Sequence, residues 1–228
     1  MKNVVLVHGA WVDGSSWSKV IPLLEAKGLH VVSVQIPLSS LADDVAATSR
    51  ALALIDGPAI LVGHSYGGVV ITQAGNDPKV KGLVYIAAFA PDAGESVLGL
   101  TKTSPVPSPA VAQIQPDSNG FTKITKQGIY EDFAEELSES EKEVLLATQG
   151  PTSGPNALGA PVTEVAWKTK PSWTLITLKD RVIPFQAQQF MAQRSNAQVS
   201  SVPASHLVIL AHPKEVAEVI ERAANGGK

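Results

Sequence analysis

Apolar, often β-branched runs recur along the chain at Asn3 to Val7, His30 to Gln35, Ala59 to Val62, Gly82 to Ala87, Ser172 to Thr177 and Val199 to Val202. Their near-continuous apolar character predicts six strands of a mainly parallel sheet, because a sheet with one wet face would alternate polar and apolar positions. Between these runs the spacing lengthens to that of helices. Trp17 to Lys27 closes at Gly28, and Leu41 to Ile55 closes at Asp56-Gly57, where glycine accepts the left-handed turn of a helix end. Val69 to Asn76, Gln186 to Arg194 and Lys214 to Ala224 follow the same pattern, the last opening just after Pro213. The alternation predicts an α/β fold in three layers, helices on both faces of the sheet, as one domain over residues 1–228. From residue 91 to 171 the rhythm fails. Pro, Ser and Gly accumulate there around one acidic helical stretch, Tyr130 to Thr148, and a segment this long without a pattern reads as a cap over the carboxyl edge of the sheet.

Composition narrows the classes of function. With 44% hydrophobic and 17% charged residues in 228, the chain is apolar enough to fold on its own core. A formal charge of −3, with no clustered Lys and Arg, offers nothing to phosphate backbones or anionic lipid. Neither nucleic acid nor membrane is therefore expected as a partner; a small-molecule substrate is, with the chain as a monomer or homodimer. The absence of cysteine excludes disulfides, thiolate metal sites and Cys nucleophiles, and fits a reducing compartment. The apolar run Val4 to Val7 stops at His8-Gly9 without a small-residue cleavage site, so no signal peptide is read and a cytoplasmic location is expected. No metal-ligand cluster is visible. Gly63 to Gly68 lacks the Gly-Lys-Ser/Thr ending of a phosphate loop, so no cofactor is expected either.

Chemistry concentrates in Gly63-His64-Ser65-Tyr66-Gly67-Gly68, which follows one predicted strand and opens one predicted helix. A serine exposed on so sharp a strand-to-helix turn needs small residues two before and two after it, and Gly63 and Gly67 stand there. A hydroxyl is a poor nucleophile at neutral pH and needs a histidine to take its proton. His206, in a loop after the last strand, is placed at the right sheet edge. His64 and His8 read as buried supporting residues, and His30 and His212 as surface or capping residues. The imidazole needs a carboxylate to fix its tautomer, and Asp180 supplies one in the order Ser, acid, His; Asp92, after an earlier strand, is the rival. Two backbone amides should receive the oxyanion: Tyr66, directly after the nucleophile, and Ala10 in the loop after the first strand, with Trp11 as the alternative.

These segments, together with Val7-His8-Gly9-Ala10-Trp11, Lys179-Asp180-Arg181-Val182-Ile183-Pro184 and Ser205-His206, resemble the α/β-hydrolase superfamily over nearly the whole chain. Within it the likeness is to the small-cap branch of plant methyl-ester esterases, hydroxynitrile lyases and related bacterial esterases. The resemblance implies Ser65, Asp180 and His206 as a catalytic triad, Ala10 and Tyr66 as the oxyanion hole, and hydrolysis of a small, largely apolar carboxylic ester through an acyl-enzyme. The lyases of this branch carry Thr where this chain has Gly9 and Lys where it has Leu207, which favours hydrolysis; Lys179 is a weak substitute for that lysine. An amidase or lactonase with the same triad, a carbon–carbon lyase, a cofactor-free oxygenase and a ligand receptor remain as alternatives. Trp11, Phe89, Tyr130, Phe133, Trp167 and Leu207 are the residues read as substrate-binding, with Phe121 and Ile129 as further apolar candidates.

Overall fold

A computed structural model describes residues 1–226, so positions 227 and 228 of the expected domain lie outside the described residues. In chain order the strands are β1 (Asn3–Val7), β2 (His30–Val34), β3 (Ala59–His64), β4 (Val80–Ile86), β5 (Ile114–Pro116), β6 (Phe121–Ile124), β7 (Thr152–Ser153), β8 (Ser172–Thr177) and β9 (Gln198–Val202). Six of them form one sheet in the order β2-β1-β3-β4-β8-β9, every pair parallel. Alternate residues of a strand face opposite sides, and both sides are apolar. Val5, Val7, Leu61 and Tyr85 pack into one core cluster, whereas Val4, Leu6, Ile60 and Ile86 pack into another. Each fully buried Val or Leu contributes roughly 1.5–3 kcal/mol, which is what makes two apolar faces decisive. The first cluster is covered by helices Leu41–Leu54, Gly67–Ala74 and Phe185–Arg194, and the second by Trp17, Leu24 and helix Pro213–Ala224.

Two predicted helices take a different form. Trp17 to Lys27 is a 3-10 turn, Gly14–Trp17, followed by a short helix, Ile21–Glu25. Pro22 has no N–H and fits only the first turn of a helix, so no continuous helix runs through it; Asp13 caps the preceding turn by accepting from Ser15 N at 2.7 Å. Tyr130 to Thr148 likewise divides into a π turn, Ile129–Phe133, and a helix, Glu139–Thr148. The division falls at Ser138, whose side chain and Glu141 form a reciprocal capping box.

Between β4 and β8 the chain leaves the sheet for helix Val97–Thr103, the antiparallel β5-β6-β7 sheet and the elements just described. Among the described residues no helix is long and apolar enough to cross a membrane. The carboxyl ends of β1, β3, β8 and β9 lead into the loops bearing Ala10, Ser65, Asp180 and His206. This is the edge where parallel α/β sheets place their ligands.

Candidate active site

Ser65 lies in the turn between β3 and helix Gly67–Ala74 with φ of 52°, a left-handed conformation that a residue with a side chain adopts at a cost. The turn is held by Ser65 N donating to Ile86 O and Phe89 N donating to Ser65 O. It closes so tightly that a Cβ at Gly63 would stand 2.5 Å from Gly67 O, and one at Gly67 2.5 Å from Val7 O. Here glycine is required by space. Ser65 is only 4% exposed, and its Oγ is 2.9 Å from His206 Nε2.

His206 Nδ1 is 2.9 Å from Asp180 Oδ2, and both side chains are buried. A buried carboxylate needs its lone pairs filled, and Asp180 has them filled. Oδ1 accepts from the amides of Val182 and Ile183, each at 2.8 Å. Oδ2 accepts from Thr177 Oγ1 at 2.8 Å and Gln188 Nε2 at 2.9 Å besides His206. Gln188 is the functional neighbour that sequence reading passed over. It also donates to Ile183 O, and its Oε1 accepts from Thr177 N at 3.1 Å, tying the end of β8 to the acid's loop. The available signal was a glutamine on the inward face of an amphipathic helix.

The other histidines take supporting places. His64 donates from Nε2 to His206 O at 3.0 Å, and burial, with His206 beside it, drives its pKa well below the usual value. A neutral ring there braces the His206 backbone. His8 is also buried, which lowers its pKa; it donates to Gly9 O and accepts from Ile36 N. His30 pairs with Asn3, and His212 with Glu136. Asp92 is half-buried and paired with Lys168 rather than with His206.

Ala10 and Tyr66 line the same cavity as Ser65. The Trp11 amide is taken by Thr152 Oγ1 at 3.1 Å, whereas among the described residues neither the Ala10 nor the Tyr66 amide has a partner. The Tyr66 phenol donates to Asp44 Oδ2 at 2.7 Å, and Asp44 Oδ1 accepts from Leu38 N at 2.7 Å. Burial pushes the Asp44 carboxyl up to about 6 against the favourable hydrogen bond from Tyr66. The backbone at Tyr66 is thereby anchored through its own side chain.

The cavity holds about 420 Å³ and is lined mainly by apolar groups, including Trp11, Phe89, Leu98, Val111 and Leu158; its one charged lining residue, Lys102, is exposed. Of the residues read as substrate-binding, Trp11 and Phe89 face it. Phe133 is buried against the His206 ring, centroids 5.3 Å apart, and outside the lining. Tyr130, Trp167 and Leu207 require correction. Tyr130 turns outward, its hydroxyl on Glu143 and its ring beneath Lys126 and Lys142. Trp167 donates to Pro91 O at 2.9 Å and sits in an open surface depression with Arg194. Leu207 is fully buried in the core. Phe121 and Ile129 are likewise outside the lining. The wall is built instead from aliphatic residues of helix Val97–Thr103 and the stretch from Pro107 to Ile114, which lack any aromatic to mark them.

Known hydrolases and esterases resemble this chain. The chain is 28% identical over an alignment of 251 positions to a pyrethroid hydrolase of Sphingobium wenxiniae, covering 96% of this chain and 86% of that protein. It is 36% identical over 116 residues to a carbendazim hydrolyzing esterase of Nocardioides, a match spanning 44% of this chain and 47% of that protein. The solved pyrethroid hydrolase from Sphingobium faniae superposes with a TM-score of 0.84 at 25% identity, covering 98% of this chain and 97% of that one. Polyneuridine aldehyde esterase, at 20% identity and a TM-score of 0.84 over 98% and 99% of the two chains, shares the fold. Residues 4–219 match the model of the alpha/beta hydrolase family, and to that family this chain belongs.

Proposed function

We propose that this protein hydrolyses a largely apolar carboxylic ester, with Ser65 as nucleophile, His206 as general base and Asp180 orienting the imidazole. The observation that carries this reading is the unbroken hydrogen-bonded line from Ser65 Oγ through His206 to Asp180, 2.9 Å at each step, at the floor of an apolar cavity. With Nδ1–H donated to Asp180, Nε2 keeps its lone pair toward Ser65 and takes the hydroxyl proton as Oγ attacks the acyl carbon. The carboxylate stabilises the imidazolium that results. The oxyanion is received by the amides of Ala10 and Tyr66, which have no partner among the described residues. His206 then returns the proton to the leaving alcohol, and water repeats the sequence on the acyl-enzyme. The relatives named as hydrolases and esterases support ester cleavage over the alternatives. A cyanide-releasing lyase gains nothing from the structure: Leu207 is buried, and a Cβ at Gly9 would lie 2.8 Å from Ser65 Cβ.

The test is release of p-nitrophenol from short acyl esters by wild type and Ser65→Ala, with mass analysis after fluorophosphonate labelling. Multiple turnover that the substitution abolishes, with the adduct on Ser65, is the expected result. Labelling without turnover of any ester would replace the enzyme by a receptor, and absence of labelling would discard Ser65 as nucleophile.

A further inference from the structure

A second cavity, about 440 Å³, adjoins the one that contains Ser65, and Phe89, Thr101, Ser108 and Val182 line both. The two are therefore separated by a single layer of side chains. The position of that partition is fixed from the catalytic side, because the Val182 amide donates to Asp180 Oδ1. Helix Val97–Thr103 supplies one wall through Leu100, and helix Phe185–Arg194 the opposite wall through Ala187 and Met191.

Apart from Thr101, whose hydroxyl has no partner among the described residues, the polar side chains around this second cavity are committed elsewhere. Glu95 accepts two hydrogen bonds from Arg194, at 2.8 and 2.7 Å. Ser104 Oγ donates to Val106 O, Ser108 Oγ to Arg181 O and Thr103 Oγ1 to Gly99 O. A charged or strongly hydrogen-bonding group entering here would lose its water for little replacement, whereas an apolar group gains by leaving water. Phe190, which also lines the cavity, is 57% exposed, an apolar surface left available to a ligand.

We infer that this second cavity is a subsite for a distal, uncharged apolar group of the substrate, such as a phenyl or branched alkyl terminus. The substrates are then esters whose apolar bulk reaches past Val182, away from the bond that breaks. Cavities of this size ordinarily hold a large part of a small ligand, and each side of the partition has that capacity.

This inference rests on the ester-hydrolase reading for its turnover measurement but not for its binding measurement. Methyl acetate, methyl 5-phenylpentanoate and 5-phenylpentyl acetate place a phenyl on neither, the acyl and the alcohol side of the scissile bond. Leu100→Trp and Ala187→Phe fill the second cavity from opposite walls, so a folding defect in one leaves the other. In both, the preference in kcat/KM for at least one phenyl-bearing ester over methyl acetate should fall tenfold or more. Preferences within twofold of wild type for both phenyl esters, in variants with a native circular dichroism spectrum and cooperative melting, would overturn the assignment. If wild type cleaves none of the three, the hydrolase reading fails and the subsite is judged by calorimetry with the uncleavable 6-phenyl-2-hexanone. Binding that weakens tenfold in the filled variants supports the subsite, and no binding, or binding they leave unchanged, rejects it.

Discussion

The strand-end loops that carry Ser65, Asp180 and His206 and the β4–β8 connection that shapes the cavity are built on opposite terms. In the loops, close backbone packing and filled hydrogen-bonding capacity leave little freedom: Asp180 accepts five hydrogen bonds, counting Val182, Ile183, Thr177, Gln188 and His206. In the connection, short antiparallel strands alternate with 3-10 and π turns, and large apolar residues such as Leu98 and Val111 stay half in solvent. A site under the first regime has one geometry and fails when it is disturbed. A wall under the second admits substitution, and with it a change of substrate.

The sharpest way to break this comparison is at Asp180. On the proposed mechanism Asp180→Asn puts an amide where His206 Nδ1–H needs an acceptor, so kcat should fall by about 10³–10⁴-fold while the fold persists. Asp92→Asn removes only an ion pair with Lys168 and should stay within about threefold. Equal losses, read by steady-state kinetics on one ester, would remove Asp180 from its assigned role. Next in size is Gly67→Val, which drives a side chain into the carbonyls of Val7 and His8. Overpacking against backbone has no rotamer escape, so a destabilisation of roughly 3 kcal/mol or more is expected in urea unfolding.

Asp44 tests whether the anchoring of Tyr66 carries a pH dependence. A carboxyl raised to about 6 in the folded state, mainly by burial, holds its proton more tightly folded than unfolded. Its contribution to stability is then largest below about pH 4 and is lost as the pH rises through about 6. Asp44→Asn should therefore gain in melting temperature relative to wild type between pH 4 and 6, and parallel curves would show that the carboxyl does not titrate there. Smaller again is Gln188→Leu, which releases one of the donors on Asp180 and the tie to β8. A loosened acid should cost about tenfold in kcat with KM little changed.

The same contrast explains what was legible in the sequence. The six strands and the tight turn at Ser65 follow from periodicity and from local sterics, which act within a few residues, whereas Asp180 and His206 were marked by the order of motifs that resembles the family. Gln188 was hidden because it lies on a helix whose pattern announces only which face is inward, and its partners on β8 are eleven residues away. The lining at Leu98, Val111 and Leu158 was hidden for a related reason: aliphatic residues on short irregular elements carry no periodic signal, and only tertiary packing turns them toward Ser65. Trp167 and Tyr130 drew attention as large aromatics, yet each has a polar atom that found a partner away from the cavity, Pro91 O and Glu143.

Trp167 gives the finest probe of the boundary between the two regions. Its indole N–H holds Pro91, near the start of the connection, and its ring lies near the guanidinium of Arg194, 5.8 Å from the centroid. Arg194 in turn holds Glu95 and Ala90 O, so Trp167 belongs to the docking of the connection and not to the cavity itself. Trp167→Ala should lower the melting temperature by a few degrees, in line with about 1–2 kcal/mol for one lost hydrogen bond and the ring's packing. It should leave kcat/KM for any ester within about twofold, whereas Phe89→Ala, which faces Ser65, should reorder the preference among esters. If Trp167→Ala reorders that preference as strongly, the connection moves as one body against the sheet, and its surface contacts set the shape of the cavity as much as its lining does.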